Sequence, residues 1–283
     1  MTVTVAVALL ASPSFGLLAS HLDDSKAMAR ELAREADVRL REEQIQRGWD
    51  PLSTGPASPH ARELEMARGI EILAATRGFR LDLAGGVLAG DRASELEVER
   101  AARVLKEELT RYPTRFLAQS RLRRVVLTRF LSEGGAPIPS LPNLEGSLVL
   151  DVDAQEAFLR RLIHHEVFHF VDYAGDDQLK CDPAWQKLND RWFVYGSGGR
   201  YARAPGSGRL AEDLPGFVSR YATSALEEDK AETFAFSMAA PLRLDAIAAR
   251  DPVIKRKILA LRAALHEFCP EIDGRFWARG GSI

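Results

Sequence analysis

Leu162-Ile163-His164-His165-Glu166-Val167-Phe168-His169-Phe170-Val171 is the stretch that decides how this chain is read. It is apolar except for one knot of histidine and glutamate, and three of the chain's six histidines fall inside it. The surrounding pattern predicts a helix over residues 154–173, with Asp153 and Glu156 as a cap pair at its start. Because this helix is apolar almost all round, it is expected at the centre of a domain. Burying His165, Glu166 and His169 there without partners would be costly, so the cluster asks for a ligand.

The knot spells His-Glu-x-x-His, from His165 to His169. Residues four apart share a helix face. Two imidazoles so spaced can both direct a nitrogen at one zinc ion. Glu166 stands beside that position without being needed as a ligand, where it can take a proton from water. A catalytic zinc keeps three protein ligands and one open position, so the third must come from elsewhere. A metzincin would continue with Gly at residue 172 and His at residue 175. Asp172 and Gly175 occupy those places and exclude that class. His164 lies on another face and is expected in the core or behind a ligand.

A second apolar helix is predicted over residues 225–240, capped by Ser224 and carrying Glu227, Glu228 and Glu232. Glu228 and Glu232 share a face. One carboxylate of such a pair can bind zinc while the other accepts an N–H from a zinc-bound histidine and fixes its tautomer. Glu227 is the rival ligand, without a partner four residues on.

Outward from these helices, Ser58-Pro59 opens a helix whose apolar positions Met66, Ile70 and Leu73 predict a run up to Gly78. Ser94 with Glu97 forms a capping box for a helix to Leu109. Residues 124–131 and 147–152 read as strands, separated by a Gly/Pro-rich loop at 134–146. A last helix is expected over residues 252–268. Gly196 to Gly208 reads as a surface loop or a cleft wall. The layout is an α+β domain over residues 57–283 with a small sheet and N-terminal helices. A Pro/Ser/Gly linker at 48–59 separates it from a leader and charged helix in residues 1–50, a segment that could shield a cleft.

The composition is that of an ordinary globular protein: 283 residues, 46% hydrophobic and a formal net charge of -2. That charge predicts no affinity for nucleic acid. Residues 3–19 are apolar and signal-like, but no basic residue precedes them, so secreted, cell-envelope and cytoplasmic locations all stay open. No stable membrane span is expected. Cys181 and Cys269 are the only cysteines, either a single long-range disulfide or two thiols.

The His-Glu-x-x-His helix followed by Tyr221, then Glu228 seven residues later and Glu232 four further, resembles a known arrangement. It is similar to the gluzincin metallopeptidases related to anthrax lethal factor and the Pro-Pro endopeptidases, and to bacterial zinc-binding metallopeptidases. Gly216-Phe217-Val218-Ser219-Arg220-Tyr221-Ala222 is closest in wording to the last group. The resemblance spans residues 124–240. It implies a zincin-like fold with a small mixed sheet. It also implies Zn²⁺ on His165, His169 and Glu228, Glu232 behind a ligand, Glu166 as general base and Tyr221 steadying an oxyanion. The substrate would be a peptide or protein, laid along an edge strand for which 147–152 is the candidate. The competing reading is a zincin-like module that binds zinc or a partner without turnover.

Overall fold

A computed structural model describes residues 58–83, 86–143, 146–176, 182–199, 202, 204 and 206–280. The leader, the charged helix, the linker up to residue 57 and Cys181 lie outside the described residues. Cys269 is buried with a free thiol.

The fold is a mixed α+β arrangement. Its helices are α1 (Pro59–Arg68), α2 (Glu95–Leu109), α3 (Thr114–Gln119), α4 (Glu156–Asp176), α5 (Pro183–Gln186), α6 (Leu226–Ala239), α7 (Pro241–Ala248), α8 (Pro252–Phe268) and α9 (Gly274–Gly280). Its strands are β1 (Glu71–Ala74), β2 (Phe79–Leu83), β3 (Gly86–Asp91), β4 (Arg124–Glu133), β5 (Ala136–Pro137), β6 (Ser140–Asn143) and β7 (Ser147–Asp151). They form one mixed sheet in the order β2-β3-β4-β7-β6. The long strand β4 is its spine. Its first half pairs in parallel with β1 on one side and β7 on the other. Its second half turns to pair antiparallel with β3 and β5. The change of partners coincides with Phe130, whose φ of 54° departs from strand geometry.

Alternation sorts the side chains of β4 and β7 to two faces. Val125, Leu127, Leu148 and Leu150 enter the main core beneath α2, α4 and α6. Val126 and Val149 point the other way, into a smaller core with Phe79, Leu88, Leu131 and Ile138. The helices α4 and α6 pack directly on each other. Around Tyr112 the rings of Phe116, Phe234 and Phe276 stack. A third cluster, with Phe217, Val218, Phe236, Leu244 and Ile254, ties α6 to α7 and α8 and supports the segment before α6.

The capping box at α2 forms as expected: Ser94 accepts from the Glu97 N–H and Glu97 reaches back to the Ser94 N–H. Such a cap stabilises by about 1 kcal/mol. Four local expectations are corrected. First, α1 stops at Arg68 because Gly69 takes a left-handed φ of 68°, and the chain beyond it becomes β1 with Met66 exposed. Second, α4 starts at Glu156, which pairs with Arg103 and Arg160; the Asp153 N–H instead binds the Asp151 carboxylate. Third, the N-cap of α6 is Ala225, while the Ser224 hydroxyl donates to the Tyr221 carbonyl. Fourth, β7 is not an edge, since β4 and β6 flank it; the edge is β6, inside the stretch expected to be loop. No helix among the described residues is long and apolar enough to cross a membrane.

Candidate metal centre

Helix α4 brings His165 and His169 to one face, with ring centroids 4.7 Å apart and nearly perpendicular planes. Helix α6 packs opposite and offers Glu228 from its first turn. There the positive end of the helix dipole favours a carboxylate. The two Nε2 atoms are 3.0 Å apart. Glu228 Oε2 lies 3.0 Å from His165 Nε2 and 3.4 Å from His169 Nε2. Two ligands at zinc–nitrogen distances in a tetrahedral shell sit about 3.3 Å from each other. The triangle therefore has the size of one face of such a shell, and its three residues could hold a metal ion. Glu227 does not belong to this group.

The electrostatics suit a cation. Burial alone would push the His165 imidazole to give up its proton, but hydrogen bonds to Glu228 and Glu232 override it and hold the pKa up at about 10. Burial likewise works against a charged Glu228, yet the two imidazoles keep its carboxyl well below the usual range. The pocket thus places negative charge where a positive ion would sit.

Behind the triangle, Glu232 is fully occupied. Its Oε1 accepts from His165 Nδ1 at 2.9 Å and from Arg161, and its Oε2 accepts from Ser219 Oγ at 2.6 Å. With Nδ1 turned to Glu232, Nε2 is the nitrogen that faces the triangle, where a metal would take the place of its proton. The Tyr221 hydroxyl donates to Glu228 Oε1 at 3.2 Å. Glu166 lies beside the triangle on α4. Its Oε1 accepts from Ser140 Oγ on β6 at 2.7 Å, and its Oε2 is buried with no hydrogen-bond partner among the described residues. His164 points away from all of this: the Tyr112 hydroxyl lies 2.5 Å from its Nδ1, and its Nε2 lies 3.0 Å from Glu108. It is a core histidine.

Next to Glu228, Asp229 turns inward and anchors the first turn of α6. Its Oδ2 accepts from Lys257 at 2.7 Å, Trp185 at 2.9 Å and Tyr195 at 2.7 Å. Lys257 also donates to the Gly216 carbonyl at 2.7 Å, which couples α8 to the segment that carries Ser219 and Tyr221.

The metal triangle, Glu166, Glu232, Tyr221 and Ser140 line one cleft of about 950 Å³, bounded by β6, α4, α6 and residues 206–210. Ala204, Gly206, Ser207 and Gly208 of the glycine-rich stretch thus belong to the wall of the cleft. Gly199 is buried against the site, and a Cβ there would be driven into Glu228 Oε1 and the Tyr221 hydroxyl. Residue reading from sequence missed Ser140, Arg161, Ser219 and Gly199. Arg161 could have been found, since it precedes His165 by one helical turn on the same face. Ser140 carried no signal.

No family model matches this chain, and no curated protein matches it. A crystal structure described as a "putative zinc-binding metallo-peptidase" from Bacteroides caccae is similar in fold. Its TM-score is 0.52 at 16% sequence identity, covering 82% of this chain and 98% of that one. The fold of this chain is metallopeptidase-like.

Proposed function

We propose that this protein is a zinc-dependent endopeptidase of the gluzincin type, related to the group that contains lethal factor and the Pro-Pro endopeptidases. In this reading His165, His169 and Glu228 hold the metal, and Glu232 orients His165. The observation that carries it is the convergence of two imidazole nitrogens and a carboxylate beside a glutamate whose second oxygen is buried with no partner among the described residues. When bound, zinc supplies Lewis acidity that acidifies water and polarises a peptide carbonyl.

The chain's own residues would do the rest. An extended peptide would add to the outer edge of β6, which no described strand pairs, by main-chain hydrogen bonds. Glu166 would take the proton of the attacking water at Oε2 and pass it to the leaving amine nitrogen, while Ser140 holds Oε1 still. The Tyr221 hydroxyl would turn from Glu228 to the oxygen that gains negative charge as the carbonyl is attacked.

The test is cleavage profiling of the zinc-loaded protein on a broad peptide library, with Glu166→Ala as control. The variant should keep its zinc and lose cleavage by roughly 10²–10⁴-fold, the usual scale for removing a general base. Undiminished cleavage by that variant rejects the role of Glu166. Zinc binding with no cleavage by the wild-type protein would return a non-catalytic zinc-binding or interaction module.

A further inference from the structure

The cleft lining carries both signs of charge. Its acidic residues are Glu166, Glu228 and Glu232, at or beside the metal triangle. Its basic ones are Arg161, Arg209 and Arg243, of which Arg243 pairs with Glu212. With a dication at the triangle, positive charge is in excess over the lining carboxylates.

Arg161 is built in rather than dangling. Its side chain is only 11% exposed. One arm of its guanidinium, Nη1, is held by Glu232. The guanidinium carbon lies 5.2 Å from the Phe158 ring centroid and 5.1 Å from that of Phe236, so two aromatic faces flank it. The backbone of Gly208 completes the slot, because a Cβ there would lie 2.9 Å from Nη2. Among the described residues the second arm of Arg161 has no hydrogen-bond partner, and Arg161 lines the cleft. A planar fork held from behind, walled by rings and opening into a cleft, suits a carboxylate. Arg209, exposed on the same wall, adds attraction at longer range.

We propose that the part of the cleft wall around Arg161, one helical turn before His165, is a subsite for a substrate carboxylate. The inference rests on the peptidase reading of the same cleft and adds the chemistry of the group that enters it. That carboxylate is either an acidic side chain or the free C-terminus of the peptide.

The experiment is binding without turnover, on zinc-loaded Glu166→Gln protein. Immobilised protein is offered pooled octapeptides with one glutamate scanned along the chain, against the same pools with glutamine. A second comparison uses pools free of acidic side chains, with a free or an amidated C-terminus. Retained peptides are quantified by mass spectrometry.

One of the two carboxylate forms should be enriched by about tenfold over its amide. The enriched arm names the source. Arg161→Gln should remove that preference, and Arg161→Lys should keep part of it. Arg209→Gln, which touches no residue of the metal triangle, should reduce it by a smaller factor with zinc content unchanged. Equal retention of acid and amide in both comparisons overturns the proposal, as does a preference that survives Arg161→Gln and Arg209→Gln alike. A wild-type protein that cleaves peptides with no acid preference sinks the subsite alone. One that prefers carboxylates yet cleaves nothing sinks the peptidase reading alone.

Discussion

Ser140 on the edge strand β6 and Glu166 on the central helix α4 are joined by a 2.7 Å hydrogen bond that leaves the second Glu166 oxygen buried, with no partner among the described residues. The bond links the strand where substrate would lie to the group that would move the proton. Removing a hydrogen bond to a charged group costs about 1.5–3 kcal/mol, or roughly 10–100-fold in rate if it is used in the transition state. Ser140→Ala should therefore lower kcat by about tenfold with little change in KM, and Ser140→Thr should restore most of it. A rise in KM alone would show that Ser140 only shapes the strand.

Glu232 meets His165 Nδ1, Arg161 and Ser219 at once. Loss of such a partner behind a ligand typically weakens metal affinity 10–100-fold. Glu232→Gln should do so here, because the amide presents a donor where two donors now converge. Glu228→Ala removes a ligand and should leave substoichiometric zinc after equilibrium dialysis. Unchanged zinc affinity in Glu232→Gln would count against its place behind His165.

These relationships were unequally legible in the sequence. The spacing from His165 to His169 is itself geometry on a helix, so it could be read directly, and the capping box at Ser94 likewise encodes a local hydrogen-bond pattern. The pair Glu228 and Glu232 announced a shared face, but its distance from His165 depends on how α6 packs against α4. The strand β1 was hidden because Met66, Ile70 and Leu73 happen to match a helical period, while the true stop is the left-handed turn at Gly69; β2 and β3, beyond Gly78, were given no reading. The edge β6 was hidden because a short strand containing Pro142 looks like a turn. Ser140 therefore carried no local mark, its role arising wholly from tertiary contact.

Gly199 packs so close that any Cβ would collide with Glu228 and Tyr221. Its backbone needs no unusual torsion, so the constraint is space. Gly199→Ala should displace the Glu228 carboxylate or break its bond from Tyr221, reducing zinc affinity and cleavage while the circular dichroism spectrum stays native. Wild-type zinc affinity in this variant would show that the wall yields freely.

Glu108 carries a pH dependence far from the metal triangle. It is buried, which by itself would raise its pKa. The hydrogen bond with His164 and the ion pairs with Arg111 and Arg160 override this and hold it at about 2, against an ordinary value of 4.5. His164 is fully buried, and that burial lowers its pKa against the opposing pull of Glu108. A carboxyl depressed in the folded state contributes stability above its unfolded pKa and loses it as pH falls through the folded one. In chelator-treated protein, Glu108→Gln should thus lower Tm at neutral pH, and the gap to wild type should close as pH falls from 4.5 towards 2. Thermal melts of both proteins across that range provide the check. A gap that stays constant down to the lowest pH would mean that Glu108 stabilises the α2–α4 interface by packing, with its charge contributing nothing.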